Sequence, residues 1–250
     1  MSDIPWQARK AFGIVVSAVV ALGLGLITPA SSHATPALLN EITSSRQVVL
    51  VTAKSWDSTT GTVQVFEKKK NTWTSTQGSV KAILGYGGLV PGEKRKQGTG
   101  TTPTGTYAFT SAFGIKSDPG TKLTYTKVDN NDAWTYNPRV PSTYNVFQTV
   151  NKTWSNYGDY VERLSTYRKQ YNYVAVLDFN LPTGKITTGA DGINRTDQSA
   201  NTSRGGGIFL HVSNGTKTAG CIAVPQKTMK AILEWLDPKK NPVIVIQVKN

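Results

Sequence analysis

The segment GGGIFLHVSNGTKTAGCIAVP, residues 205–225, contains two short apolar runs joined by a glycine-rich connection. The first run, 207–212 (GIFLHV), is too short and too continuously apolar for a surface helix and reads as a buried strand. The second, 221–224 (CIAV), starts another strand. A connection this rich in Gly can fold back and bring the ends of the two strands together. Toward the C-terminus, 225–236 is predicted as a helix: Pro225 suits its first turn, Met229, Ile232, Leu233 and Leu236 make one apolar face, and Pro238 stops it. Residues 241–248 (NPVIVIQV) close the chain as a strand.

Toward the N-terminus the same β character continues. Residues 47–53 (QVVLVTA) and 61–66 (GTVQVF) read as a hairpin with Asp57-Ser-Thr-Thr60 between them, and 71–84 reads as further strand. A loop rich in Gly, Lys and Thr ends in the turn 100–105 (GTTPTG), before a strand at 106–110. The stretch 111–153 shows no helical period. Val161, Leu164 and Arg168 stand at helical spacing, which predicts a short helix over 159–168; 171–179 (YNYVAVLDF) is a strand. Residues 181–204 read as a long loop, of a length that in small domains is often functional, here as a cover for the site. Asp129–Asp132 (DNND) lacks the spacing of a calcium loop and reads as a solvated turn. Many short strands, few helices and no internal repeat predict a mainly β sandwich or barrel with one helix after Cys221.

The first residues have a different character. Arg9 and Lys10 precede an apolar run over 11–27, and a polar stretch ends in Ser32-His33-Ala34. That order matches a secretory signal peptide cleaved after Ala34, so residues 1–34 are expected to be a leader. An uncleaved anchor is the alternative, although the run is short of the roughly 20 apolar residues a spanning helix needs. No Cys follows the run to accept a lipid.

The whole chain of 250 residues carries 28 basic and 15 acidic side chains, a net charge of +13; without residues 1–34 it loses Arg9, Lys10 and Asp3 and stands at +12. Such a charge concentrates polyanions near the surface. The basic residues are scattered, with no helical stripe or zinc-finger spacing, so nucleic acid is not the expected partner. For an exported protein an anionic wall polymer is the more natural counterpart, and a charge that only keeps the protein soluble is an equally open reading.

The composition leaves few candidates for chemistry. Cys221 is the single cysteine, so no internal disulfide exists, and His211 is the single histidine once His33 is removed with the leader. A zinc site draws on several such ligands, so neither a metal nor another cofactor is expected. A free thiol is only about 3% ionised at neutral pH, and a neighbouring imidazole activates it by taking its proton, the resulting ion pair lowering the thiol pKa. The backbone N–H groups of Gly220 and Cys221 would face the charge developing on an attacked carbonyl, with no side chain at 220 in the way. On residue types and spacing alone, a buried structural Cys and a satisfied structural His are equally open.

The pattern Ile208-Phe-Leu-His211 followed by Thr218-Ala-Gly-Cys221-Ile222 resembles the L,D-transpeptidase catalytic domain, also called the YkuD domain. There a His is followed by Ser/Thr-His-Gly-Cys and an apolar residue. Thr102-Pro-Thr-Gly105 resembles a second hallmark of that family, and the likeness runs over nearly all of 46–250. It implies a β-rich sandwich in which Cys221 is the nucleophile and His211 its proton acceptor and donor. It further implies that the Val212 main-chain carbonyl orients the ring, that the Gly220 and Cys221 amides form the oxyanion hole, and that Thr218, Ala219, Gly206 and Gly207 meet the substrate. The implied reaction is acyl transfer on peptidoglycan stem peptides in the cell envelope, by transpeptidation or by carboxypeptidase trimming. A wall-binding module without turnover is a rival. A sortase-like acyltransferase is another, disfavoured because the 20 residues after Cys221 contain no Arg. Ala219 in place of the motif His, Ala223 in place of the usual Arg or Asn, and a short His-to-Cys loop mark a divergent branch.

Overall fold

A computed structural model describes residues 36–150, 154 and 158–249; the leader expected at 1–34 lies outside the described residues. Fifteen strands occur among the described residues. The first eight are β1 (Gln47–Ala53), β2 (Thr60–Lys69), β3 (Thr72–Ile83), β4 (Leu89–Pro91), β5 (Thr102–Gly114), β6 (Tyr125–Lys127), β7 (Ala133–Thr135) and β8 (Val146–Gln148). They are followed by β9 (Val161–Arg163), β10 (Val174–Leu177), β11 (Ile186–Thr188), β12 (Asn194–Thr196), β13 (Phe209–Val212), β14 (Ile222–Val224) and β15 (Val243–Val248). The helix α1 spans Gln226–Trp235, with Pro225 at its N-cap.

The main sheet runs β10-β13-β14-β3-β2-β1-β15-β5, and a further pairing of β10 with β5 closes it on itself. The mainly β reading therefore holds, as a barrel-like closed sheet. Alternation along each strand divides its residues between two faces. Val49, Val51, Leu210, Val212, Ile222, Val224, Ile244 and Ile246 point into one core, to which α1 adds Met229, Ile232 and Leu233. Each side chain of this size stabilises the fold by about 1.5–3 kcal/mol when fully buried.

The alternate residues of β13 and β10 face away from that core. Phe209, Val174 and Val176, with Cys221, pack against a second layer that supplies Trp134, Leu164 and Tyr171. This layer is the small sheet β8-β7-β9 and the 3-10 turns over Leu164–Asn172. Phe209 touches Trp134 edge-on at 4.9 Å and Phe113 at 5.4 Å between ring centroids. Such pairs add about 0.5–1.5 kcal/mol to the area they bury.

Several local expectations change. The helix expected over 159–168 is not formed: Val161–Arg163 is extended because it pairs with β7, and Arg168 (φ 39°) breaks the turns that follow. Sheet pairing outweighs weak helical spacing here. The Thr102-Pro-Thr-Gly105 turn lies inside β5, which begins four residues earlier than expected. The loop 181–204 contains the β11–β12 hairpin, tied to β8 through Gln148 and Asn194. It borders an apolar pocket lined by Leu181, Pro182 and Ile186, apart from the Cys221 cleft it was expected to cover. In the DNND turn Asp132 is buried and accepts the Asp129 N–H.

Candidate active site

β13 and β14 are parallel neighbours, with His211 opposite Ala223 and Leu210 opposite Ile222. The connection therefore does not make the expected fold-back of strand ends; it returns the chain to run alongside β13 in the same direction. Thr218 braces it, donating its N–H to Leu84 O and accepting from Tyr86 N, beside Gly85. Cys221, two residues before Ala223, lies on the same face as His211, displaced along the strands by about 7 Å.

The thiol is buried beside the backbone of the preceding strand. Cys221 Sγ donates to Gly207 O (3.2 Å) and accepts from Phe209 N (3.4 Å). His211 is 3% exposed, and its Nδ1 lies 2.9 Å from Val212 O. A carbonyl can only accept, so Nδ1 carries the proton and Nε2 is the ring's acceptor. The Tyr171 ring meets the imidazole edge-on at 5.6 Å. No hydrogen bond joins ring and thiol among the described residues.

Burial sets the protonation of both groups. It lowers the His211 pKa to about 4, against a smaller upward pull from the Val212 carbonyl. It raises the Cys221 pKa to about 12, reinforced by Glu162 and opposed by the Phe209 N–H and Arg95. The resting site thus holds a neutral thiol and a neutral imidazole, in place of the expected ion pair. Burial, the largest influence on each group, disfavours the charged form of both.

The loops around the thiol are held by buried polar side chains. Asn145, in the left-handed region (φ 60°), accepts from Gly207 N (2.9 Å) and Trp134 Nε1 (2.7 Å) on Oδ1. Its Nδ2 donates to Asn180 O (2.6 Å) and Phe179 O (3.3 Å), so every polar group of its amide is used. Arg95 donates to Thr101 O, Arg204 O and Ala219 O, tying three loops together behind Cys221. Gly220 has φ +134°, and a Cβ there would stand 2.8 Å from Thr101 O and 2.9 Å from Arg95 Nη2. Only glycine fits that position.

A cavity of about 280 Å³ opens above the thiol. Gly206, Gly207 and Ala219 line it together with Cys221. Thr218, expected to meet the substrate, does not line it: the residue is 9% exposed and its hydroxyl donates to Cys221 O (2.7 Å). The Gly220 amide, expected to face an oxyanion, donates to Thr218 Oγ1 (3.2 Å). Ala223 is buried within the ladder, between His211 and Ile83.

Four residues enter that the sequence reading did not single out: Arg95, Asn145, Glu162 and Tyr171. Arg95 sits in the charged run Glu93-Lys-Arg-Lys96, inside the loop distinguished only by its Gly, Lys and Thr content. Glu162 lay on an expected helix, whereas in the structure it pairs with Trp134 across β9 and β7 and so shares its face. Its Oε2 accepts the Tyr171 hydroxyl. Burial raises its pKa to about 7.

No curated protein matches the chain significantly. Among solved structures, the chain is similar to one titled "Structure of Bdellovibrio bacteriovorus Bd1075", with 14% identity and a TM-score of 0.37 over 81% of this chain and 48% of that one. The match spans about half the length of that structure. The family model described as the L,D-transpeptidase catalytic domain (YkuD) matches residues 55–245. That span includes the barrel from β2 to β14, the buried pair and the cleft, and the chain belongs to the YkuD family of L,D-transpeptidase catalytic domains.

Proposed function

We propose that residues 46–250 are the mature domain of a secreted L,D-transpeptidase, exported by a signal peptide at 1–34, that cross-links peptidoglycan stem peptides through a Cys221 thioester. The observation that carries this reading is a lone thiol in the wall of a 280 Å³ cleft, with a neutral imidazole of fixed tautomer on the adjacent strand and the same face. Sγ attacks the carbonyl joining an L-centred diamino acid to D-alanine, and the thiol proton passes to His211 Nε2. Because both groups rest neutral, proton transfer accompanies attack instead of preceding it. Arg95, whose charge pulls the Cys221 pKa down, favours the developing anion. D-alanine leaves with the proton from His211, and an amine from a second stem resolves the thioester. Splitting the transfer in this way replaces one hard step by two easier ones. The excess of basic side chains would hold the enzyme near anionic wall polymers.

The test is to incubate the protein with a carbapenem and weigh it by mass spectrometry. A single adduct that maps to Cys221 is the expected result. No adduct, under conditions where another family member reacts, overturns the reading in favour of a module without turnover.

A further inference from the structure

The cleft contains a carboxyl group, that of Glu162, which the acyl-transfer steps above do not use. Glu162 lies directly opposite Trp134 in the β7–β9 ladder, and Trp134 packs on Phe209. Facing residues of an antiparallel pair project to the same side. A carboxylate therefore occupies the apolar face of the second layer, turned toward β13, the strand of Phe209 and His211. Two contacts fix where it points. Tyr171 donates its hydroxyl to Oε2, and Oε1 lies 3.7 Å from the point a Cβ on Gly207 would occupy. Gly207 is the residue whose carbonyl accepts the Cys221 thiol.

No lysine, arginine or histidine forms an ion pair with Glu162, and Oε1 accepts no hydrogen bond, among the described residues. Glu162 nonetheless lines the cleft together with Cys221, as does Asp159. The cation of the cleft, Arg95, already directs three N–H groups at carbonyls of its own loops. A half-buried carboxyl without a counter-ion carries a desolvation cost that an arriving cation relieves. Its placement beside a nucleophile, on the side open to the cleft, suits a cation that arrives with the substrate.

We propose that Glu162 receives the ammonium group of the acyl acceptor and takes its proton, so that the free amine attacks the Cys221 thioester. The inference rests on the acyl-transfer reading above. One ammonium proton passes to the Glu162 carboxylate. The nitrogen lone pair then forms the N–C bond at the thioester carbonyl, and the C–S bond breaks with its electrons on sulfur. A second nitrogen proton reaches Sγ through His211, restoring the thiol, and Glu162 releases its proton to solvent. Hydrolysis needs no such cation, so Glu162 biases the branch between cross-linking and trimming.

The test measures the ratio of aminolysis to hydrolysis from a stem tetrapeptide ending in D-alanine, its side-chain amine acetylated. N-blocked lysine amide serves as a charged acceptor, and hydroxylamine, largely uncharged at pH 7, as a neutral one. Both products branch from one thioester, so the ratio does not depend on how fast that thioester forms. Glu162→Gln, which can still accept from Tyr171, is expected to lower the ratio at least tenfold with lysine amide and less than twofold with hydroxylamine. Glu162→Asp is expected to recover part of the loss. An equal fall with both acceptors, or no fall with lysine amide, overturns the proposal. A wild-type protein that forms no thioester overturns the acyl-transfer reading and this one with it, whereas a thioester with unaltered branching in Glu162→Gln overturns this one alone.

Discussion

His211 is tied to the carbonyl of its own neighbour, Val212, by a 2.9 Å hydrogen bond that leaves Nε2 as the ring's acceptor. A base works only unprotonated, and burial holds this one at about 4, below the usual 6.5. Acylation of Cys221 is therefore expected to stay level from pH 7 to about 5 and to fall only as pH drops through about 4. An acid limb near 6.5 would contradict the burial. His211→Gln should slow acylation about 10²–10⁴-fold, as loss of a general base does.

Cys221 makes the complementary prediction. With its pKa pushed to about 12, its alkylation by iodoacetamide should still be rising about tenfold per pH unit at pH 10. A plateau near pH 9 would mean an exposed thiol. Cys221→Ala should abolish the carbapenem adduct while the circular dichroism spectrum is retained, since the side chain is small and fills only part of its apolar surroundings.

From a left-handed backbone, Asn145 makes four side-chain hydrogen bonds that join the 205–207 loop, through Gly207 N, to Trp134 and to the carbonyls of Phe179 and Asn180. Asn145→Ala leaves buried donors and acceptors without partners, for a loss of about 3 kcal/mol in urea unfolding. Acylation should fall as well, because Gly207 O is the acceptor of the thiol. Full stability in the variant would show that the loop is held from elsewhere.

Buried His211 and half-buried Glu162 pull stability in opposite directions with pH. The folded pKa of His211 is depressed, so its contribution is present above 6.5 and lost as pH falls through about 4. That of Glu162 is raised, so its contribution is present below 4.5 and lost as pH rises through about 7. Each is worth about 3 kcal/mol by linkage. Relative to wild type, Glu162→Gln should gain stability between pH 4.5 and 7, and His211→Gln should gain it between pH 6.5 and 4. Parallel thermal-melting curves for the three proteins would refute this.

The parts of the fold legible in the sequence are those in which one element sets its own pattern. The strands at 47–53 and 243–248 and the helix after Pro225 are visible because apolar period and caps agree. The short strands β7, β8 and β9 are not, since three residues carry no period, and their pairing is decided by partners far along the chain. The same reason hides Glu162, whose face depends on the register with Trp134, and Arg95, whose carbonyl partners lie on three separate loops. Cys221 and His211 stand out because each is the last of its kind in the expected mature chain. Their protonation does not, because burial is a property of the packed layers.

The parallel pairing of β13 and β14 has a consequence for how such a site can drift. His211 and Cys221 are spaced by the ladder, whereas residues 214–217 of the connection between them are exposed. That tip can lengthen or shorten over generations while the imidazole and the sulfur keep their places. Residue count between the two is thus a poor measure of kinship, and the short spacing in this chain is compatible with unchanged chemistry.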